Sequence, residues 1–345
     1  MFRFNGDAMI EFGASALRSV GIAHADAVLT ARSLVEADCR GTHSHGLLRL
    51  PLYVSAVERG GINTRPAIRW VSEQGATALL EADAALGQVA MQQATERVID
   101  LAAAHGVAAV AVQGGSHYGA GSFWADQVVD AGMLAIVTST TGPVVAPFGG
   151  GDKVFGTNPI TLAAPGEAED RLVADLATST GAYGKVIAAR NAGESIPAGW
   201  AVDPNGSPTT DPVAAMAGAL TPFGGHKGSA ISAAVEAFSA ILGAGTFAFE
   251  TEDIWSNPAS RMNIGQLILA IDPSFFSGRE HARNRTSELL GAIRRSAPGG
   301  DVLAPGDPER ERARENGMTV PLSESVVDDL RELGKRLDIE LPNPL

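Results

Sequence analysis

The first sixty residues carry apolar side chains at helical spacing. Met9, Ile10, Phe12, Leu17 and Val20 predict one helix, and Val28, Leu29, Leu34 and Val35 predict a second. A third, HGLLRLPLYVSAVERGG, ends at Gly60-Gly61, and Pro51 inside it marks either a kink or a helix start. The period then changes. ATALLEAD, VAAVAVQ, LAIVTST, ITLAAP, LVADLAT and GQLILAIDP read as strands. Between them GQVAMQQATERVIDLAAAHG, GAGSFWADQVVDAGM and KVIAARNAG read as helices, and WAVDPNGSPTTDP as a polar loop. Residues 228–245 are apolar but interrupted by Glu236, which predicts a buried helix rather than a membrane span. The chain returns to helix in SVVDDLRELGKRLDI, with Val326, Leu330, Leu333 and Leu337 on one face. Helices at both ends and a sheet-rich middle predict an α/β (α+β) protein whose two terminal regions pack as one lobe.

Composition narrows the function classes. A 345-residue chain with 45% apolar and 19% charged residues is a folded globular protein with room for more than one lobe. A net charge of −13 argues against a nucleic-acid or anionic-membrane surface. A single cysteine, Cys39, excludes an intramolecular disulfide and a thiolate metal cage. The first residues, MFRFNGDAMI, show no leader pattern, so the expectation is a cytoplasmic protein. Of only four lysines, Lys153, Lys185 and Lys227 lie in glycine-containing stretches, where a cation can meet an anionic ligand.

Neither G-x-G-x-x-G nor G-x-x-x-x-G-K-[ST] nor H-E-x-x-H occurs. THSHG is not a G-x-S-x-G elbow, because Thr42 stands where the first glycine belongs. What remains is GTHSHGLLRL, residues 41–50. His43 and His45 could bind a metal or merely cap a helix start. Alternatively Arg49, a planar fork, holds a substrate carboxylate one helical turn from His45, which exchanges a proton and is oriented by Ser44. GGSHYGAGS (114–122) joins a strand to a helix, with His117 as a second acid/base candidate and the helix N-terminus as a phosphate site. Two glycine loops, 141–159 and 220–228, share Pro-Phe-Gly-Gly.

Taken in order, HSHGLLRLPLYV, SHYGAGSFWADQ, VAPFGGGDKVFGTNPI, ADLATSTGAYGK, IPAGWAVDPNGSPTTDP, PFGGHKGSAIS and VLAPGD resemble the malate/L-lactate dehydrogenase family, over essentially the whole chain. The resemblance implies a non-Rossmann dinucleotide-binding sheet domain (71–285, with an inserted helical segment) and a helical domain formed by 1–70 with 286–345. It implies hydride transfer between NAD or NADP and a 2-oxo/2-hydroxy acid, or reduction of a cyclic 2-imino acid, in a homodimer without a metal. A metal-dependent hydrolase and an inactive nucleotide-binding relative are the remote alternatives.

By the same resemblance, His45 or His117 donates the proton and Ser44 orients His45. Arg49 and Thr157 contact the substrate. The nucleotide contacts His117, Tyr118, Gly119, Ala120 and Gly121, then Thr141, Asp175, Leu176, Ala177 and Lys227, and finally Pro305, Gly306 and Asp307. The chain departs from the family's pattern in three places: His43 precedes Ser44-His45 where aspartate is usual, Ser116 precedes His117 where asparagine is usual, and Tyr183 replaces the arginine before Gly184-Lys185. Residues 186–193 hold no aspartate to complete a Ser-His-Asp relay, and Glu194 is the nearest acid.

Overall fold

The computed structural model describes residues 1–299 and 302–345. The chain starts not in a helix but in a short strand, β1 (Phe2–Asn5). Helices α1 (Gly6–Ser19), α2 (His24–Cys39) and α3 (Leu50–Arg59) follow. Pro51 lies in the first turn of α3, so it starts a helix and kinks nothing. The strand at residue 2 was hidden because four residues carry no usable period. It exists because β12 (Thr319–Leu322), at the far end of the chain, pairs with it antiparallel.

The middle of the chain builds a seven-stranded sheet from β2 (Arg69–Gln74), β3 (Thr77–Glu81), β4 (Val107–Gly115), β5 (Leu134–Ser139), β6 (Ile160–Pro165), β7 (Arg171–Leu176) and β11 (Ile264–Ile271). Their spatial order is β2-β3-β4-β11-β5-β6-β7. Only β3 and β4 run parallel, joined by α4 (Gly87–His105); all other neighbours are antiparallel. This is not the parallel, doubly wound sheet of a Rossmann enzyme. Helix α5 (Gly121–Asp130) follows β4 and lies against β5, β6 and β7.

A smaller unit follows β7: α6 (Tyr183–Ala192), a three-stranded sheet of β8 (Ala201–Val202), β9 (Pro208–Thr209) and β10 (Ala219–Leu220), and α7 (Pro212–Ala217). The predicted polar loop 200–212 is thus a hairpin, with Asp203 accepting from the Asn205 and Ser207 amides at its turn. Helix α8 (His226–Glu236) continues into a π-helical turn at Ala237–Ile241. The expectation that 228–245 is buried fails on one face, where Ile231, Phe238, Ile241 and Leu242 are exposed. Charged helices α9 (Arg279–Arg294) and α10 (Asp307–Asn316) lacked an apolar stripe to reveal them, and α11 (Glu324–Leu337) closes the chain.

One apolar core gathers Phe4, Met9, Leu17, Leu34, Tyr53, Val320, Leu330 and Leu333, residues from both ends of the chain. A second lies between the large sheet and helices α4 and α5, around Met91, Val110, Trp124 and Ile268. No described helix is long and apolar enough to cross a membrane.

Candidate active site

The segment after α2 is not the continuous helix that the His45–Arg49 spacing suggested. It forms two 3₁₀ turns, His43–His45 and Leu47–Arg49, broken at Gly46, whose backbone is extended. The break has a cause in α2. The Asp38 carboxylate, 2% exposed, accepts from His43 Nδ1 (2.8 Å) and from the Leu47 amide (2.7 Å), straddling Gly46. A Cβ on Gly46 would sit 2.3 Å from that carboxylate, so only glycine fits. His43 is therefore tied back to α2, while His45 faces the other way. His45 Nδ1 lies 2.8 Å from Ser44 Oγ, and its ring stacks on that of His117 with centroids 5.6 Å apart.

His117 arrives from the other lobe, at the end of β4. Its loop is fixed by Gln266, whose Nε2 donates to the Ser116 carbonyl (2.7 Å). Helix α4 begins so close that a Cβ on Gly87 would meet the Ser116 and His117 carbonyls at 2.4 Å. His117 Nδ1 lies 2.5 Å from the Tyr53 hydroxyl, which also accepts from Gln88 Nε2 (3.2 Å). The Gly119 amide points at the same Nδ1 (3.4 Å). A hydroxyl that accepts from Gln88 has its own proton to give. Nδ1 is then the acceptor, and the neutral ring carries its proton on Nε2. This assignment follows from the hydrogen-bond network. Burial and the neighbouring Arg49 charge hold both histidines neutral: the His45 pKa falls to about 4, and that of His117 falls well below the usual histidine value, because two protonated rings would also repel each other.

Arg49 closes the site. Its Nε donates to the Ser44 carbonyl (2.6 Å), and its guanidinium lies over the Trp255 ring, 4.5 Å from the centroid. Trp255 also meets the His117 ring edge-on at 5.2 Å. Burial lowers the Arg49 pKa despite Tyr53 and Asp253, so the cation is short of negative charge around it. Thr141 and Thr157 stand together, with the Thr157 amide donating to Thr141 Oγ1 (2.9 Å) and the hydroxyls 3.3 Å apart. Gly142, next to Thr141, packs against Asp253, and a Cβ there would lie 2.5 Å from Asp253 Oδ2.

A separate cleft of about 720 Å³ opens over β7 and the start of α5. Thr42, Ser122, Asp175, Leu176, Pro305 and Gly306 line it. Thus β7, the start of α5 and the loop before α10 meet at this cleft. Exposed Leu176 and Leu303 offer an apolar wall, and arginines 40, 171, 310 and 314 lie around the cleft. The α5 N-terminus, however, is not open to a phosphate. Asp175 accepts from the Ser122 amide (2.9 Å) and from Thr161 Oγ1 (2.8 Å), filling the cap with a carboxylate. The same carboxylate acts on His45, raising its pKa against burial.

Asp307 is likewise committed. It accepts from Arg294 Nε (2.8 Å), Arg310 and the Ala304 amide (2.8 Å), so it braces the 304–307 loop. The Arg294 guanidinium is the largest influence lowering its pKa, from 3.8 to about 2. A carboxyl depressed on folding stabilises above its ordinary value and loses that contribution as pH falls towards the folded one. The melting temperature should therefore fall as pH drops from about 4 to about 2. Asp307→Asn should lower it at neutral pH and flatten that acid slope; an unchanged slope by calorimetry would contradict this.

Tyr118, Gly119, Ala120 and Gly121 run from His117 into α5, all buried, and Ala177 is exposed beyond β7. Lys227 is exposed on the first turn of α8. No hydrogen bond or ion pair among the described residues ties it to the histidine pair. The two Pro-Phe-Gly-Gly loops do meet, the Phe148 amide donating to Ser229 Oγ (3.1 Å). Lys153 donates to the Met216 carbonyl (3.1 Å), and Lys185 stands 6.0 Å from the Trp200 ring centroid. Tyr53, Gln88, Trp255 and Asp253 belong to the site but escaped the sequence reading. Tyr53 alone carried a signal, one helical turn beyond Arg49.

A family model described as malate/L-lactate dehydrogenase matches residues 4–331. L-sulfolactate dehydrogenase of Methanocaldococcus jannaschii is 37% identical over 94% of each chain. Two relatives, also 37% identical, differ in nucleotide. They are ureidoglycolate dehydrogenase (NAD(+)) of Escherichia coli K12, over 91% of this chain and 89% of that one, and (2R)-3-sulfolactate dehydrogenase (NADP(+)) of Chromohalobacter salexigens, over 92% and 93%. Among solved structures, sulfolactate dehydrogenase from M. jannaschii gives a TM-score of 0.92 at 35% identity, covering 98% of each chain. Δ1-piperideine-2-carboxylate reductase from Pseudomonas syringae gives 0.87 at 32% identity, covering 96% of this chain and all of the other.

Proposed function

The chain belongs to the malate/L-lactate dehydrogenase family, and we propose how its residues divide the work of an NAD(P)-dependent hydride transfer between a 2-oxo and a 2-hydroxy acid. The observation that carries the reading is a half-buried Arg49, stacked on Trp255 and beside two neutral histidines, with a cleft of about 720 Å³ lined by Asp175, whose charge acts on His45. The nicotinamide, when bound, supplies hydride to C2 of the substrate. Arg49 holds the substrate carboxylate with the nitrogens that Ser44 leaves free, and Trp255 fixes the plane of the guanidinium. Thr157, steadied by Thr141, contacts the other side of the substrate.

His117 is the proton donor. Its Nε2 proton passes to the oxygen at C2, and the Tyr53 hydroxyl proton moves onto Nδ1, so the ring stays neutral throughout. The negative charge ends on the Tyr53 oxygen; burial pushes that phenol up to about 12, and the Gln88 hydrogen bond and the Arg49 charge offset part of the cost. His45, oriented by Ser44, lines the reacting oxygen and excludes water.

The backbone of 117–121, Thr141, Asp175 to Ala177, Lys227 and the 305–307 loop hold the nucleotide. Asp175 and Asp307 act through the loops they brace. The carbon–nitrogen double bond of a cyclic 2-imino acid fits the same machinery, a second reading favoured by the likeness to the piperideine-carboxylate reductase. We place the protein in the cytoplasm as a homodimer. The dimer is supported by the exposed apolar face of α8, continued by Phe148 and Phe249. The test is loss of reduced NADH or NADPH against pyruvate, oxaloacetate, sulfopyruvate, diketogulonate and the two cyclic imines. One of these substrates should be turned over, and silence with measurable nucleotide binding would count against the substrate class.

A further inference from the structure

Residues 228–245 carry one charged side chain, Glu236, and the chemistry above makes no use of it. The carboxylate is 5% exposed, at the point where α8 passes into its π-helical turn. An ionised group is costly there unless it is fully hydrogen-bonded. Its partners come from two separate segments. Oε1 accepts from Asn158 Nδ2 (2.8 Å), and Oε2 from the Ala248 amide (3.1 Å).

The first segment is the loop that carries Thr157. Asn158 is fully buried at a φ of 38°, a left-handed conformation that costs energy outside glycine. Its Nδ2 also donates to the Ser232 carbonyl (3.2 Å), so α8 holds it twice. The second segment is the 3₁₀ turn Ala248–Glu250, which leads directly into Asp253 and Trp255. We propose that Glu236 is a positioning residue that sets the distance between Thr157 and Trp255, the two walls of the substrate site. The inference rests on the substrate site proposed above. It gives the strained asparagine a reason: without the carboxylate, only the longer bond to the Ser232 carbonyl would seat the 156–158 loop on α8. It also connects the site to α8, the helix whose other face is apolar and exposed.

The test is hydrogen exchange on Glu236→Gln, read by mass spectrometry. Glutamine keeps the volume but removes the charge that strengthens both hydrogen bonds, and its NH2 turns away either the Asn158 or the Ala248 donor. Exchange should rise about tenfold, about 1.4 kcal/mol, in peptides covering 153–160 and 247–256, while α1 and α4 keep their rates. The KM for the 2-oxo acid should rise about tenfold and the nucleotide KM should hold. Unchanged exchange in either segment would overturn the proposal. So would an increase spread over the whole chain, which a merely structural role predicts. Ala248→Pro deletes one donor at a helix position that tolerates proline. It should loosen 247–256 alone, and it decides the matter if the glutamine variant does not fold. Exchange needs no turnover, so a chain inactive on every substrate offered would count against the proposed reaction and leave this result standing.

Discussion

Arg49→Ala should lower kcat/KM for the 2-oxo acid by about 30- to 4,000-fold, the effect of about 2–5 kcal/mol expected when one partner of a hydrogen-bonded charge pair is removed. The expectation rests on the surroundings of the guanidinium. Burial outweighs Tyr53 and Asp253 in setting its pKa, so the arriving carboxylate supplies charge that the protein does not. Most of the loss should fall on KM, because the same contact exists in the ground and transition states. Arg49→Lys should recover only part of it. A lysine keeps the charge but loses the paired nitrogens and the flat stacking on Trp255. Steady-state kinetics within twofold of the parent would remove Arg49 from the substrate site.

His117→Gln should lower kcat by about 10²–10⁴-fold, the usual worth of a positioned proton donor, with the nucleotide dissociation constant unchanged. His45→Gln should cost about tenfold or less, because Ser44 occupies its Nδ1 and no relay stands behind it. Tyr53→Phe should fall between them, since it leaves His117 Nδ1 without its short hydrogen bond. The order matters more than the sizes. A larger loss at His45 than at His117 would exchange their roles.

The helices and strands with strong period were legible, as were the residues that crowd the site. Ser44, His45, Arg49 and His117 do meet, although two lobes supply them. What the sequence could not show was how they meet. The break at Gly46 depends on Asp38, a residue of the preceding helix that no sequence motif marks out. Trp255 and Asp253 sit in a loop without periodicity, and only the tertiary fold brings them to Arg49. The α5 N-terminus looked like a phosphate cradle because the residue that fills it, Asp175, is distant in sequence. The face of α8 was misjudged for a different reason: an apolar helix reads the same whether its own chain or another covers it.

The central claim is direct hydride transfer to C2 of a carboxylate substrate held by Arg49. The most direct measurement uses reduced nucleotide carrying deuterium at C4, with product analysed by mass spectrometry. The account predicts one deuterium on C2 of the 2-hydroxy acid for each nucleotide oxidised, in ordinary water, and far slower appearance of that product with Arg49→Ala. Deuterium lost to solvent, or product formed without nucleotide oxidation, would contradict it.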